Sequence, residues 1–171
     1  MREGQLDMRM DQQQELTAAD VVNMYAEKEI ADILFNYGEE RRSRAIARSI
    51  VRSRPLKLTT DLARAVQRVM GAPRYGHIHP STRTFQALRI FVNDELGALE
   101  SFLDASMTVV RSGGRLVVIT FHSLEDRIVK NKFRSATSGK VLTKKVVTAS
   151  EEELRRNPRA RSAKLRAWER S

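Results

Sequence analysis

Between residues 17 and 111 hydrophobic positions recur at three- and four-residue spacing, which predicts a succession of amphipathic helices. The preceding stretch, Met1 to Glu15, is polar and aperiodic, and Asp7-Met8-Arg9-Met10-Asp11 reads as an extended or loop segment. Thr17 with Asp20 makes a capping-box pattern, in which side-chain oxygens take up N–H groups that a helix start leaves orphaned. Val21, Val22 and Tyr25 follow on a core-facing side. Ile30, Ile33, Leu34 and Tyr37 share one side of a second helix, with Gly38 as its stop. Glu39 to Arg54 reads as a third, with Ile46 and Ile50 inward, Arg44, Arg48 and Arg52 on the opposite face, and Pro55 as terminator. Thr59 or Thr60 caps a fourth, carrying Leu62, Val66 and Val69 inward, Arg64 and Arg68 outward, and ending at Gly71 and Pro73. After the loop Arg74 to Pro80, a long helical stretch opens near Ser81 and carries Phe85, Leu88, Val92, Leu96, Leu99 and Leu103. It is one helix bent at Gly97 or two joined ones.

The period changes at Ser112-Gly113-Gly114. Arg115 to Phe121 is a short, β-branched apolar run, the pattern of a strand buried on both faces in a parallel sheet. Ser123 with Asp126 repeats the capping pattern and opens a helix to about Arg134. Val141 to Val147 reads as a strand, Ser150 to Arg156 as a short helix, and Ser162 to Arg170 as a final strand. A strand like Leu116–Phe121 needs neighbours on both edges and cover on both faces, and the sequence supplies at most two further strands. The sheet therefore reads as part of a larger one.

Composition narrows the class. Hydrophobic residues make up 41% and charged residues 30%, as in a folded domain rather than a disordered chain. No apolar run reaches the ~18 residues of a membrane span, so no membrane is expected as a partner and the cytoplasm is the expected compartment. The sequence has no cysteine, which excludes disulfides and thiolate metal sites. The net charge of +10, rich in arginine, favours a polyanionic partner, since a planar guanidinium binds phosphate in bidentate fashion.

The strand-turn-helix Gly113-Gly114-Arg115-Leu116-Val117-Val118-Ile119-Thr120-Phe121-His122-Ser123-Leu124-Glu125-Asp126-Arg127 resembles the bacterial MraW/RsmH family. So do Leu6-Asp7-Met8-Arg9-Met10-Asp11, Tyr37-Gly38-Glu39-Glu40-Arg41, His79-Pro80-Ser81-Thr82-Arg83-Thr84-Phe85-Gln86-Ala87-Leu88-Arg89-Ile90, and Asn157-Pro158-Arg159-Ala160-Arg161-Ser162, all in the family's order. The resemblance implies an α/β fold: the C-terminal part of a Rossmann-like methyltransferase sheet plus an all-helical insertion domain. It divides the chain into a loop of the methyltransferase core at 1–11, the insertion at 12–95, and the returning methyltransferase portion at 96–171. It further implies methyl transfer from S-adenosylmethionine to N4 of a cytidine in the 16S RNA of the small ribosomal subunit. The family's glycine-rich cofactor loop and the acid for the ribose have no counterpart in this sequence, so the expectation is a fragment, inactive alone, with a separate N-terminal half as possible partner. Gly4-Gln5 stands where the family usually has Gly-Pro, which is expected to loosen the adjoining loop.

Methylating an exocyclic amine requires alignment of a held, unstacked base more than acid–base machinery. No residue is therefore assigned as catalytic, and none as a cofactor or metal ligand. Candidate substrate contacts are His122 and Ser123 at the end of the strand, Arg83 on the long helix, and Arg159 and Arg161 beside Pro158. Each has a plainer alternative. His122 can fix the turn and Ser123 cap the helix; Arg83, with His79, Gln86 and Arg89, can brace the helices; Arg159 and Arg161 can simply be solvated. Glu125, Asp126 and Arg127 suit a structural charge network, and Met8 and Met10 either line a pocket or fill a core. Arg44, Arg48 and Arg52 are either RNA-backbone contacts or a solvated face whose like charges repel one another. Against the methyltransferase reading stand a non-catalytic RNA-binding remnant and an unrelated DNA-binding helical protein.

Overall fold

A computed structural model describes residues 3–171. The chain forms two compact units, Met1–Glu95 and Leu96–Ser171.

The first unit is helical: α1 (Ala18–Met24), α2 (Glu27–Gly38), α3 (Ser43–Arg52), α4 (Thr59–Met70) and α5 (Thr82–Val92). The predicted Thr17–Asp20 box is present, with Asp20 N donating to Thr17 Oγ1 at 3.1 Å and Thr17 N to Asp20 Oδ2 at 2.9 Å. At α4 the cap falls one residue earlier than expected. Leu58 N and Lys57 N donate to Asp61 Oδ2 at 2.9 and 3.1 Å, and Thr59 is already helical. α3 starts four residues after Glu39, because Glu39 adopts a left-handed conformation that closes α2. Gly38 has another role. A Cβ there would lie 2.7 Å from the Arg83 carbonyl oxygen, so glycine is what lets α2 approach α5. The inward stripes of these helices meet in one core containing Val21, Leu34, Ile46, Ile50, Leu62 and Leu88, all fully buried.

Residues 3–11 pack with this helical core. Leu6 is buried, and its N–H and the Gly4 carbonyl pair with Lys57 O and Thr59 N at 3.0 and 2.9 Å. Neither bond uses the Gln5 N–H, so this pairing is compatible with glutamine or proline at that position. The predicted long helix breaks at Asn93-Asp94, where Asp94 has φ 45°, and not at Gly97. Asn93 explains the position: its amide accepts from Met10 N at 2.7 Å and donates to Met8 O at 2.8 Å, tying the N-terminal loop to the end of α5.

The second unit holds α6 (Glu95–Val109, whose first residue belongs to the helical unit), β1 (Arg115–Thr120), α7 (Ser123–Ser135), β2 (Gly139–Val141), β3 (Val147–Thr148), α8 (Glu151–Arg156), a 3₁₀ turn (Pro158–Ser162) and β4 (Lys164–Arg170). Its sheet corrects the parallel expectation. All described pairings are antiparallel, in the order β1-β4-β2, with β3 also on β4. β1 is likewise not buried on both faces. Leu116 and Val118 are partly covered, whereas Val117 and Ile119 are about half exposed, as is Phe121 just beyond the strand. An apolar run records that a strand is hydrophobic, not which of its faces this chain covers. Leu103 and Met107 of α6, Val129 and Phe133 of α7, and Trp168 of β4 form the core, with the Phe133 and Trp168 rings stacked at 6.4 Å. Gly139 lies against this stack, since a Cβ there would meet the Trp168 ring at 2.4 Å. Arg170 closes α6, donating to the carbonyls of Met107, Thr108 and Val110 at 3.0, 2.6 and 3.0 Å.

Candidate functional site

The turn from β1 into α7 is the most densely bonded polar feature of the second unit. The helix cap is His122, not Ser123: its Nδ1 accepts from Glu125 N at 3.3 Å. Glu125 Oε2 reciprocates by accepting from Phe121 N at 2.8 Å and His122 N at 3.2 Å. Imidazole is an uncommon cap, so the sequence pattern pointed to the serine one residue later. An accepting Nδ1 places the ring proton on Nε2, which lies 3.4 Å from Glu125 Oε1. His122 is largely enclosed, and its ring orientation is fixed by this box.

One turn further, Asp126 receives Arg166 of β4 in bidentate fashion at 2.6 and 3.1 Å, with Lys164 Nζ at 3.7 Å. The Arg166 hydrogen bonds, outweighing burial, hold the Asp126 carboxyl below the usual carboxylate range. Arg166 is itself buried. The pair therefore fastens the first turn of α7 to the middle of the sheet. A guanidinium between Leu165 and Ala167 in a strand was the sequence signal for a buried acidic partner.

The remaining candidates are dispersed. Arg159 and Arg161 are exposed on the 3₁₀ turn, on either side of buried Ala160. In the helical unit, Arg83 donates to Glu39 O at 3.3 Å, bracing the end of α2. Arg89 pairs with Glu95 at 2.6 and 2.9 Å. His79 Nδ1 accepts from Ser81 N at 3.2 Å, its Nε2 lies 3.2 Å from Gln67 Nε2, and Gln86 is half-buried on α5. Arg44, Arg48 and Arg52 are all exposed on α3, and Arg48 reaches Glu27 at 3.4 Å. Met8 packs against the helical core, and Met10 is exposed.

Sequence reasoning missed the Asp7–Arg9 fork. Arg9 binds both Asp7 oxygens, at 2.7 and 2.9 Å, and donates to Gln14 O at 2.6 Å. These side-chain bonds hold the Asp7 carboxyl below its ordinary range and support Met8 at a φ of 66°. The acid-x-arginine spacing was the available signal.

A compact α/β unit has a cross-braced strand-to-helix turn and exposed arginines such as Arg159 and Arg161. The MraW methylase family matches residues 1–171, and the chain belongs to that family. A ribosomal RNA small subunit methyltransferase H of Synechocystis is 60% identical over 94% of this chain and 53% of its own length. The protein of that name from Acidobacterium capsulatum is 58% identical over 98% of this chain and 57% of its own, and that from Dehalococcoides mccartyi is 50% identical. The chain spans about half the length of these relatives. No helix among the described residues is long and apolar enough to cross a membrane.

Proposed function

We propose that this chain is the RNA-facing portion of a cytoplasmic methyltransferase that transfers a methyl group from S-adenosylmethionine to N4 of a cytidine in 16S ribosomal RNA. The observation that carries this is 50–60% identity to small-subunit rRNA methyltransferases along nearly the whole chain. On this reading residues 12–95 are a helical insertion and 96–171 the returning part of the methyltransferase sheet.

Two places among the described residues that could be expected to take the cofactor do not fit it. S-adenosylmethionine carries a sulfonium and an ammonium, whereas the cleft beside Phe133 is lined by Lys130, Arg134, Lys144 and Arg166. At the β1–α7 turn, the Phe121 and His122 N–H groups, the donors suited to the cofactor's carboxylate, are already held by Glu125. We therefore assign cofactor binding to the part of the relatives' length that this chain does not span. β1 supports this assignment: its outer edge meets no strand among the described residues, and Val117, Ile119 and Phe121 await cover. This chain's own part is RNA binding. Arg44, Arg48, Arg52, Arg159 and Arg161 offer guanidinium groups to phosphate, while Arg83, His122 and Ser123 position the elements that carry the substrate.

The chain alone is expected to show no S-adenosylmethionine binding by calorimetry. Mixed with the unmatched portion of the Synechocystis relative, it is expected to restore methyl incorporation into small subunits. Cofactor binding by the chain alone would remove the division of labour. A folded, cofactor-bound complementary half that gives no incorporation would favour a non-catalytic RNA-binding remnant, the reading that the poor cofactor fit otherwise supports.

A further inference from the structure

Phe35 is a large aromatic side chain on the outward side of its helix. It lies on α2, off the stripe of buried Ile30, Ile33 and Leu34, and is 58% exposed. It faces a cleft of about 580 Å3, within the ~300–1,000 Å3 range of small-ligand sites. Arg41, Arg42 and Arg44 line the same cleft, and its one acidic group is Asp32, a turn before Phe35 on the same side of α2. Arg42 is held in place, its backbone N–H donating to Glu40 Oε1 at 3.0 Å and its guanidinium to Val69 O at 3.1 Å. Arg41 and Arg44 have no ion-pair partner among the described residues, and the first turn of α3 contains no acidic residue.

An apolar ring rimmed by three guanidinium groups has a mixed requirement. An acidic peptide would satisfy the charges and leave the ring wet. Duplex nucleic acid would present phosphates but hide its base faces. A single-stranded nucleotide satisfies both at once, with its base stacked on the ring and its phosphates on the arginines. We propose that this cleft is a subsite for one unstacked base of single-stranded RNA: Phe35 carries the base, Arg41, Arg42 and Arg44 take the flanking phosphates, and Asp32 accepts from an exocyclic amine. The last contact selects bases with an exocyclic amine, cytosine, adenine or guanine, over uracil, which has none. The subsite rests on the RNA-binding reading above and adds to it a place, a ligand form and a base preference.

The test is fluorescence anisotropy of the full chain with short labelled oligoribonucleotides across a salt series. Phe35→Ala weakens binding of oligocytidine by about five-fold or more without changing the salt slope, and Phe35→Tyr restores it. Arg41→Gln with Arg44→Gln lowers the slope by about two. An abasic chain of equal length binds wild type and Phe35→Ala alike. Oligouridine binds more weakly than oligocytidine, and Asp32→Asn narrows that gap. Phe35→Ala with unchanged affinity, or with equal losses on oligocytidine and the abasic chain, overturns the subsite. Equal binding of oligocytidine and oligouridine overturns the base preference. If the unmodified chain binds no RNA, the broader reading falls as well; RNA binding indifferent to Phe35 removes the subsite alone.

Discussion

The two units bury their hydrophobic residues to different extents. Among the described residues the helical unit has eighteen buried side chains in one cluster, whereas the sheet unit has five. The helical unit's stripes are matched helix against helix, and its long N-terminal loop is tied down by Asn93 and the Asp7–Arg9 fork. The sheet unit packs α6 and α7 on one side of Trp168 and leaves the Val117–Ile119 face of β1 open. A well-covered core and an open apolar face thus coexist in one chain. Half-exposed β-branched residues at an unpaired edge are the local sign of the second condition.

The sharpest way to break the comparison is Trp168→Ala. Removing the largest of five core side chains is expected to cost about 3–5 kcal/mol and to abolish amide-exchange protection across β1 and β4 while α2 and α3 stay protected. Equal loss in both units would mean that the sheet core also carries the helical one. Gly38→Ala attacks the helical side. The added methyl meets the Arg83 carbonyl, and thermal unfolding is expected to register a loss of about 1–3 kcal/mol. Gly71→Ala, where φ is 86° and nothing crowds the Cβ, separates backbone strain from this overpacking.

Asp126→Asn tests how the sheet is fastened to α7, with an expected loss of about 1–3 kcal/mol. The same pair sets an acid response. Because Arg166 lowers the folded-state pKa of Asp126, the ion pair's contribution is complete above the unfolded value of about 4 and is lost as pH falls through the lower folded value. In a pH titration of stability, Asp126→Asn should therefore flatten the acid limb; an unchanged limb would assign it to other carboxylates. The smallest effect on stability is expected from Val117→Thr with Ile119→Thr, within about 0.5 kcal/mol. These changes should nonetheless reduce the self-association that an uncovered apolar face promotes, as read by light scattering. A monomeric wild-type chain, unaffected by the pair, would show that the open face is not adhesive.

Much of this was legible in the residue pattern, and the failures have a common physical origin. The stripes through Ile30–Leu34, Ile46–Ile50 and Leu62–Val66 located the helical core because helix periodicity is local information. The Thr17–Asp20 box and the final strand were legible for the same reason. Features set by distant partners were not. The break at Asn93 depends on Met8 and Met10, more than eighty residues away in sequence. The antiparallel sheet depends on β4 pairing with β1 across some fifty residues, and Asp126 becomes structural through Arg166, forty residues on. At the candidate site the residue types were found, but their duties shifted. His122 took the capping role expected of Ser123, and Arg83 turned towards the end of α2. Phe35 lies off the Ile30–Leu34 stripe, and only the cleft it shares with Arg41, Arg42 and Arg44 singles it out.

β4 pairs with β1, β2 and β3, yet follows all three in the chain. During synthesis on a ribosome the helical unit can condense once α5 has emerged, since α2 packs against both α3 and α5. Every other strand must wait with its backbone hydrogen bonds unmade until Lys164–Arg170 is translated. For that interval the nascent chain carries a folded, basic first half and a later half whose apolar strands are still unpaired.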